Sequence, residues 1–381
     1  MSLWLEDSAR NVLGAWAIET NEAGFADGAV LSPFSTPYER DWKPGAVETV
    51  QRLHEAGLEV WLDPETHVFQ MPSVGAFRYY QTWDLWSGAF GVLNTEAARR
   101  DHTERVFAAQ DGLGVPHLAP TVLLHSAQSQ TSQEALDLSR VAVEIDPACR
   151  LAIAGDSTFW GAGHLLDGHI GALAQLEPAG WFVTVARQLA VVPVPATSAE
   201  IHGLCRTVRA LSEDSPVHIS HGDLAGLPAM AAGGTSLGAG WDVRQKVSSY
   251  SSYLAPNPEA EGGGWFGQAT YEGLLSCLVR GDAQVLTNRQ PALAAQLLPG
   301  TLPPGAEAKP PWAHHAGVLQ RACDALAIPH DQAYVELKTR YEAAAQSWTQ
   351  VASTLGTPTR ANEWISPLLD GLIAYGATEG Y

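Results

Sequence analysis

The feature that most constrains the fold is a repeat of amphipathic helix, short link and apolar strand through the middle of the chain. Residues 46–56 follow Pro44-Gly45, close at Gly57 and pass directly into the apolar run 58–62. Proline near the start and glycine just past the end are the usual punctuation of a helix. Thr131-Ser132-Gln133-Glu134 has the pattern of a capping box and predicts a helix to about Glu144, followed by a strand at 151–154. Ile201, Leu204, Cys205, Val208 and Leu211 recur at helical spacing and give one buried stripe. Ser215-Pro216 ends that helix, and Val217–Ser220 follows as a strand. A weaker helix over 224–232, with Pro228 early in it, leads to a glycine-rich strand at 236–241.

Gly28–Leu31, 120–124 and 181–185 complete seven strand candidates, and an eighth is expected near 283–286. Helix–strand units joined by short links imply a parallel sheet. No GxGxxG follows the first strand, and seven or eight strands suit a closed barrel better than a doubly wound sheet. The expected fold class is therefore α/β, a (β/α)8 TIM-type barrel over residues 1–290. An aromatic-rich excursion at 66–116 would lie over the barrel mouth. A Pro-rich linker at 291–311 then leads to a small C-terminal helical extension, 312–381, beginning with a helical hairpin at 315–356. The Pro- and Gly-rich stretch 253–268 predicts a mobile loop.

Composition bounds the function. With 381 residues, 46% hydrophobic and 17% charged, the chain can bury a large core. A net charge of −19 favours solubility and disfavours a nucleic-acid surface, which needs clustered Lys and Arg, though a local basic groove is compatible with it. No run of about 18 apolar residues predicts a membrane span, and the N-terminus lacks the basic and apolar regions of a signal peptide. Four scattered cysteines, with no CxxC pair, fit neither a disulfide framework nor a typical structural zinc site. These features predict a cytoplasmic protein with a small-molecule partner, no membrane partner and no cofactor or metal; self-association into a homo-oligomer is a further expectation.

Catalytic groups of such barrels sit at the carboxyl ends of the strands. That rule selects Asp63, with Glu65 and His67 behind it, then His125, Asp156, Arg187, His218, His221, Asp223, Asp242, Arg244 and Lys246. His with Asp can form a proton relay or a metal site. His218 and His221 are three apart, so they point to opposite faces unless the strand ends before His221; a structural His is the expectation there. The glycines of 232–242 would let a ligand approach the backbone, with Arg244 or Lys246 completing an anion site and Trp241 beside them, or Gly233-Gly234 would simply form the left-handed end of the short helix before them.

The order of motifs resembles the tRNA-guanine transglycosylase family. Leu62-Asp63-Pro64-Glu65-Thr66-His67-Val68-Phe69-Gln70 stands where that family has an early Asp-Ser-Gly-Gly-Phe-Gln segment. Gly238-Ala239-Gly240-Trp241-Asp242-Val243-Arg244-Gln245-Lys246 stands at its late Gly-Val-Asp-x-Phe-Asp strand. The resemblance implies a (β/α)8 barrel that exchanges a nucleobase through a covalent glycosyl–enzyme intermediate. Asp242 would then be the nucleophile, Asp63 the general acid/base, Phe69 a stacking surface, and Asp156 or Gln70 a reader of the base edge. The family's zinc-site cysteines have no counterpart, since Cys277 and Cys323 stand alone. Three other classes fit the residues: a glycoside hydrolase, a metal-dependent hydrolase using His218 or His221 with Asp63 and Asp242, and a non-catalytic barrel scaffold or accessory subunit.

Overall fold

The computed structural model describes residues 1–9, 15–39, 45–255, 269–298, 309–357 and 361–381. Pro44, most of the loop expected at 253–268 (from residue 256) and residues 299–308 of the expected linker lie outside the described residues. Eight strands form one sheet: β1 Ser2–Glu6, β2 Gly28–Leu31, β3 Glu59–Leu62, β4 Leu123–Leu124, β5 Arg150–Asp156, β6 Gly180–Ala186, β7 Val217–Ser220 and β8 Ser236–Ala239. Their order is β3-β2-β1-β8-β7-β6-β5-β4, and every adjacent pair is parallel. With helices outside, this is a (β/α)8 barrel.

The eighth strand is not the one expected. Residues 283–286 lie inside the helix Arg280–Arg289, whose Asp282 and Arg289 complement the helix dipole at its two ends. The missing strand is β1, at the very start of the chain. Its side chains alternate, as barrel geometry requires. Leu3 and Leu5 join the outer core beneath the helices, whereas Trp4 joins Val30, Trp61, Leu118, Ala152 and Phe182 in a separate buried cluster. Trp4 and Trp61 approach to 4.3 Å between ring centroids, so aromatic bulk fills the barrel interior beneath the site.

Strands β3 and β4 complete the circle without a ladder between them. Gln110, fully buried on the helix Glu96–Leu113, bridges the gap. Its amide donates to Leu62 O and Leu118 O, both at 3.0 Å, and its carbonyl accepts from Leu118 N at 3.2 Å. One side chain thus satisfies backbone groups that would otherwise be buried without partners. The same helix occupies the second half of the aromatic excursion at 66–116; the first half carries two 3₁₀ turns, Thr66–Gln70 and Tyr80–Trp83.

The other helices follow their sequence patterns closely. Gln130–Ile145 starts one residue before the predicted Thr131, because Ser129 is the cap and exchanges hydrogen bonds with Ser132. Ser198–Leu211 is capped by Thr197. Residues 291–297, inside the expected linker, form a short helix, Pro291–Leu297. The C-terminal helices Lys309–Leu326, His330–Leu355 and Ala361–Glu379 pack on the barrel: the first on β1, the last along Ser198–Leu211. A two-stranded antiparallel hairpin, Ala269–Tyr271 with Ser276–Leu278, packs against Lys309–Leu326. Among the described residues no helix is long and apolar enough to cross a membrane.

Candidate active site

The alternation in β1 that sends Trp4 into the barrel also sends Glu6 inward, one layer nearer the carboxyl end. Glu6 is 1% exposed. Its space exists because β8 carries Gly238 alongside; a Cβ there would collide with the Glu6 carboxylate. His218 Nε2 lies 2.9 Å from Glu6 Oε1, and His218 Nδ1 lies 2.8 Å from Ser236 Oγ. Burial alone would raise the Glu6 pKa. The charge of His221 and the hydrogen bond from His218 outweigh burial and hold the carboxyl below its ordinary value.

β7 ends at Ser220, so His221 escapes the strand alternation. Its φ of 48° is left-handed, an uncommon conformation for a residue with a side chain. The turn brings His221 onto the same carboxylate as His218: its backbone N–H donates to Glu6 Oε2, and its Nδ1 lies 3.3 Å from that oxygen. Nδ1 lies closer, at 2.7 Å, to the carbonyl of Gln245. A ring nitrogen facing a carbonyl must carry the proton, so when the ring gives up its charge Nε2 is the nitrogen that holds the lone pair. Gln245 is placed for this by the short turn Val243–Lys246. Its side chain accepts from Trp241 N and Asp242 N, and it fills the space that a Cβ on Gly240 would take.

From β3, Asp63 and Glu65 bring two more buried carboxyls. Glu65, at φ 47°, receives hydroxyl hydrogen bonds from Ser32 and Tyr253. Burial and then the charge of Asp63 push its pKa well up. Asp63 Oδ1 accepts from Glu65 N at 2.8 Å, whereas Oδ2 takes no hydrogen bond among the described residues. Burial, reinforced by Glu6 and opposed by the Glu65 amide and His221, raises Asp63 to about 6. His67, also buried, is held down to about 3 by burial and then by the charge of His221. The cluster therefore combines Glu6, held below its ordinary range, Glu65, pushed well above it, and Asp63, raised to about 6 and with one oxygen unengaged among the described residues. Carboxyls whose environments drive their pKa values apart are how one site supplies both acid and base.

The remaining sequence candidates disperse. Asp242 caps the turn Val243–Lys246 by accepting from Arg244 N at 2.9 Å; among the described residues no hydrogen bond or ion pair joins it to Asp63. Arg187 is taken up by a two-pronged ion pair with buried Glu200. Asp156 caps Ser157–Trp160 and lies 2.6 Å from His125 Nδ1. Phe69 belongs to an aromatic cluster with Phe34, Tyr80, Trp86 and Phe90. Gln70 spends its amide on Gly91 O and Leu123 N. Trp241 stacks on Trp16 with centroids 5.8 Å apart and planes 14° from parallel. Arg244 is half-buried, and its guanidinium has no ion-pair partner among the described residues. Asp223 and Lys246 meet each other at 4.0 Å rather than the mouth. Among the described residues no group of three or more His, Cys, Asp or Glu side chains is arranged to hold a metal ion.

The sequence did not single out Glu6, Ser32 or Tyr253. The available signal for Glu6 was the short run Leu3-Trp4-Leu5 ending in two acids, the same form as Trp61-Leu62-Asp63. No protein-family model and no curated protein matches the chain. Among solved structures, a psychrophilic glycoside hydrolase family 10 endo-β-1,4-xylanase aligns over 65% of this chain and 84% of its own, with 9% identity and a TM-score of 0.32. An N-terminally His-tagged D-allulose 3-epimerase from Methylomonas sp. aligns over 62% and 84%, with 14% identity and a TM-score of 0.32. At these scores neither likeness bears on the chemistry.

Proposed function

We propose that the chain is an acid–base enzyme acting at a glycosidic centre of a small sugar- or nucleobase-containing substrate held at the carboxyl mouth of the barrel. One observation carries this reading. Asp63, raised to about 6 with Oδ2 unengaged, lies within electrostatic reach of His221, whose Nδ1 is fixed and whose Nε2 is unengaged among the described residues. A carboxyl that keeps its proton up to about pH 6 is suited to protonate a leaving group; an oriented imidazole suits activation of a nucleophile. In the step proposed, an acceptor hydroxyl or water loses its proton to His221 Nε2 as its oxygen bonds to the anomeric carbon. The bond to the leaving oxygen or nitrogen breaks, and that atom takes the proton of Asp63. Glu6 then faces the imidazolium. Arg244, which has no ion-pair partner among the described residues, supplies a cation for substrate binding beside the Trp16–Trp241 stack.

A second mechanism keeps Asp242 as nucleophile, as the transglycosylase resemblance implies. Asp242 stands half-buried at the end of β8 beside Trp241. This mechanism would leave a covalent sugar on Asp242, detectable by intact mass, whereas the His221 mechanism leaves none.

Wild-type protein, Asp63→Asn and His221→Gln should be offered chromogenic O-glycosides and nucleosides. Each substitution is expected to lower turnover by about 10²–10⁴-fold, the usual worth of a positioned proton donor or acceptor. Turnover unchanged in both variants would overturn the acid–base reading, and no turnover of any of these substrates by the wild type would favour a non-catalytic scaffold.

A further inference from the structure

The turn that aims His221 is anchored from a second side, by groups that do not reach the mouth. Two residues beyond His221, Asp223 is again left-handed, at φ 44°, and is 3% exposed. Two such residues in one short turn are strained and persist only where the surroundings impose them. One anchor is Glu6, which takes the His221 amide. The other is the Asp223 carboxylate. Oδ1 accepts from Leu224 N at 2.7 Å, and Oδ2 meets His315 Nε2 at 2.8 Å, with Lys246 Nζ at 4.0 Å.

His315 belongs to the helix Lys309–Leu326 and is itself 2% exposed. Its Nδ1 lies 2.8 Å from Thr270 Oγ1, which lies 3.3 Å from Cys277 Sγ. The ring direction follows from the partners. Nε2 faces a carboxylate and must donate to it, so Nδ1 accepts from the Thr270 hydroxyl. Charge and hydrogen bonds together hold Asp223 ionised, down to about 2, against the opposing effect of burial. The chain of contacts thus runs from the hairpin 269–278 through the 309–326 helix to the turn after β7. Lys246, adjacent to the Gln245 whose carbonyl fixes His221, closes the loop from the other flank.

We infer that Asp223 and His315 are positioning residues for His221: the C-terminal helix, through one buried His–Asp contact, holds the strained turn that presents His221 Nε2 to the mouth. This rests on the reading of His221 as the proton acceptor, but the test does not depend on turnover. In the full chain, ¹⁵N-edited spectra of the imidazoles report which nitrogen of His221 carries the proton. At a pH where the His221 ring is neutral, wild-type protein should show the Nδ1–H form alone. Thr270→Val, a near-isosteric change that frees His315 Nδ1, and His315→Leu should both give mixed tautomers at His221. His315→Gln, which retains a donor toward Asp223, should restore the single form. A folded Thr270→Val or His315→Leu protein with the His221 tautomer unchanged would overturn the inference. If His315→Leu fails to fold, Thr270→Val and Lys246→Met decide it in the same spectra. Failure of the catalytic reading would look different: His221→Gln would leave turnover intact while the tautomer still responded to Thr270→Val.

Discussion

Replacing Asp63 by Asn should stabilise the protein at neutral pH while removing the proposed proton donor. Among the described residues only Oδ1 of Asp63 is engaged, by Glu65 N at 2.8 Å, and the Asn carbonyl can take that bond unchanged. What is lost is a charge held in a buried site. Asp63 is raised from 3.8 to about 6 in the folded protein, so the folded state binds the proton more tightly than the unfolded state. The sign follows from linkage. Below 3.8 both states are protonated and the carboxyl costs nothing; the cost grows as pH rises toward 6 and is complete above it. Its size is about 3 kcal/mol, from roughly 1.4 kcal/mol for each tenfold difference in proton affinity. Asn also removes the charge that raises Glu65, which acts in the same direction. For 381 residues, an unfolding entropy of about 2.1 cal/mol/K per residue converts about 3 kcal/mol into a rise in Tm of roughly 4 °C. Calorimetric melting of wild type and Asp63→Asn at pH 8 and pH 4 measures it. The variant should melt higher at pH 8, and the two should converge at pH 4. Equal stability at pH 8, or a difference independent of pH, would refute the claim that Asp63 is held in a site hostile to its charge.

Glu6 should behave in the opposite sense. Its pKa is lowered, so its contribution is present at neutral pH and is lost as pH falls through the carboxylate range. Glu6→Gln removes one charge of a buried set and should cost about 3–5 kcal/mol at pH 7 in urea unfolding; the gap from wild type should narrow in acid, and a loss below about 1 kcal/mol would show that the carboxylate is no anchor. At the seam of the barrel, Gln110→Leu strands Leu62 O, Leu118 O and Leu118 N, at about 1–3 kcal/mol for each buried group left unpaired. Hydrogen exchange at the Leu118 amide should accelerate, and unchanged protection there would show that β3 and β4 are held together by other contacts.

Much of the barrel is legible in the sequence because its strands are bounded by helices with clear signals. Val217–Ser220 and Gly28–Leu31 coincide with their predicted limits, and the stripe of Ile201, Leu204, Cys205, Val208 and Leu211 is buried along the helix Ser198–Leu211. The count of eight was reached through the wrong last member. Residues 283–286 carry Val and Leu in a row, which reads equally as strand or helix over so short a span; the dipole-matched Asp282 and Arg289 were the better guide. β1 escaped because its five residues, with the unbroken apolar run Leu3-Trp4-Leu5, show no strand alternation.

That omission matters more for the site than for the fold. Asp63 could be found by a local rule, since it ends a strand in a barrel. The pairing that gives it meaning could not, because Glu6 and His221 meet across 215 residues. A sound rule leaves His221 between two readings: alternation along a strand separates His218 from His221 only while the strand lasts, and it ends at Ser220. The left-handed turn after Ser220 cancels the alternation and brings both imidazoles to one carboxylate. The glycines of 232–242 show the same limit. They suggest either room for a ligand beside the backbone or a helix end; Gly238 makes room for the Glu6 carboxylate and Gly240 for the Gln245 side chain. In each case residue type and spacing mark where space or charge is needed, and only the packing of distant segments decides what occupies it. The polar groups of this mouth therefore work as a set: Glu6 orders the two histidines, Gln245 fixes a proton on one of them, and Asp63 is left as the carboxyl with an oxygen to spare.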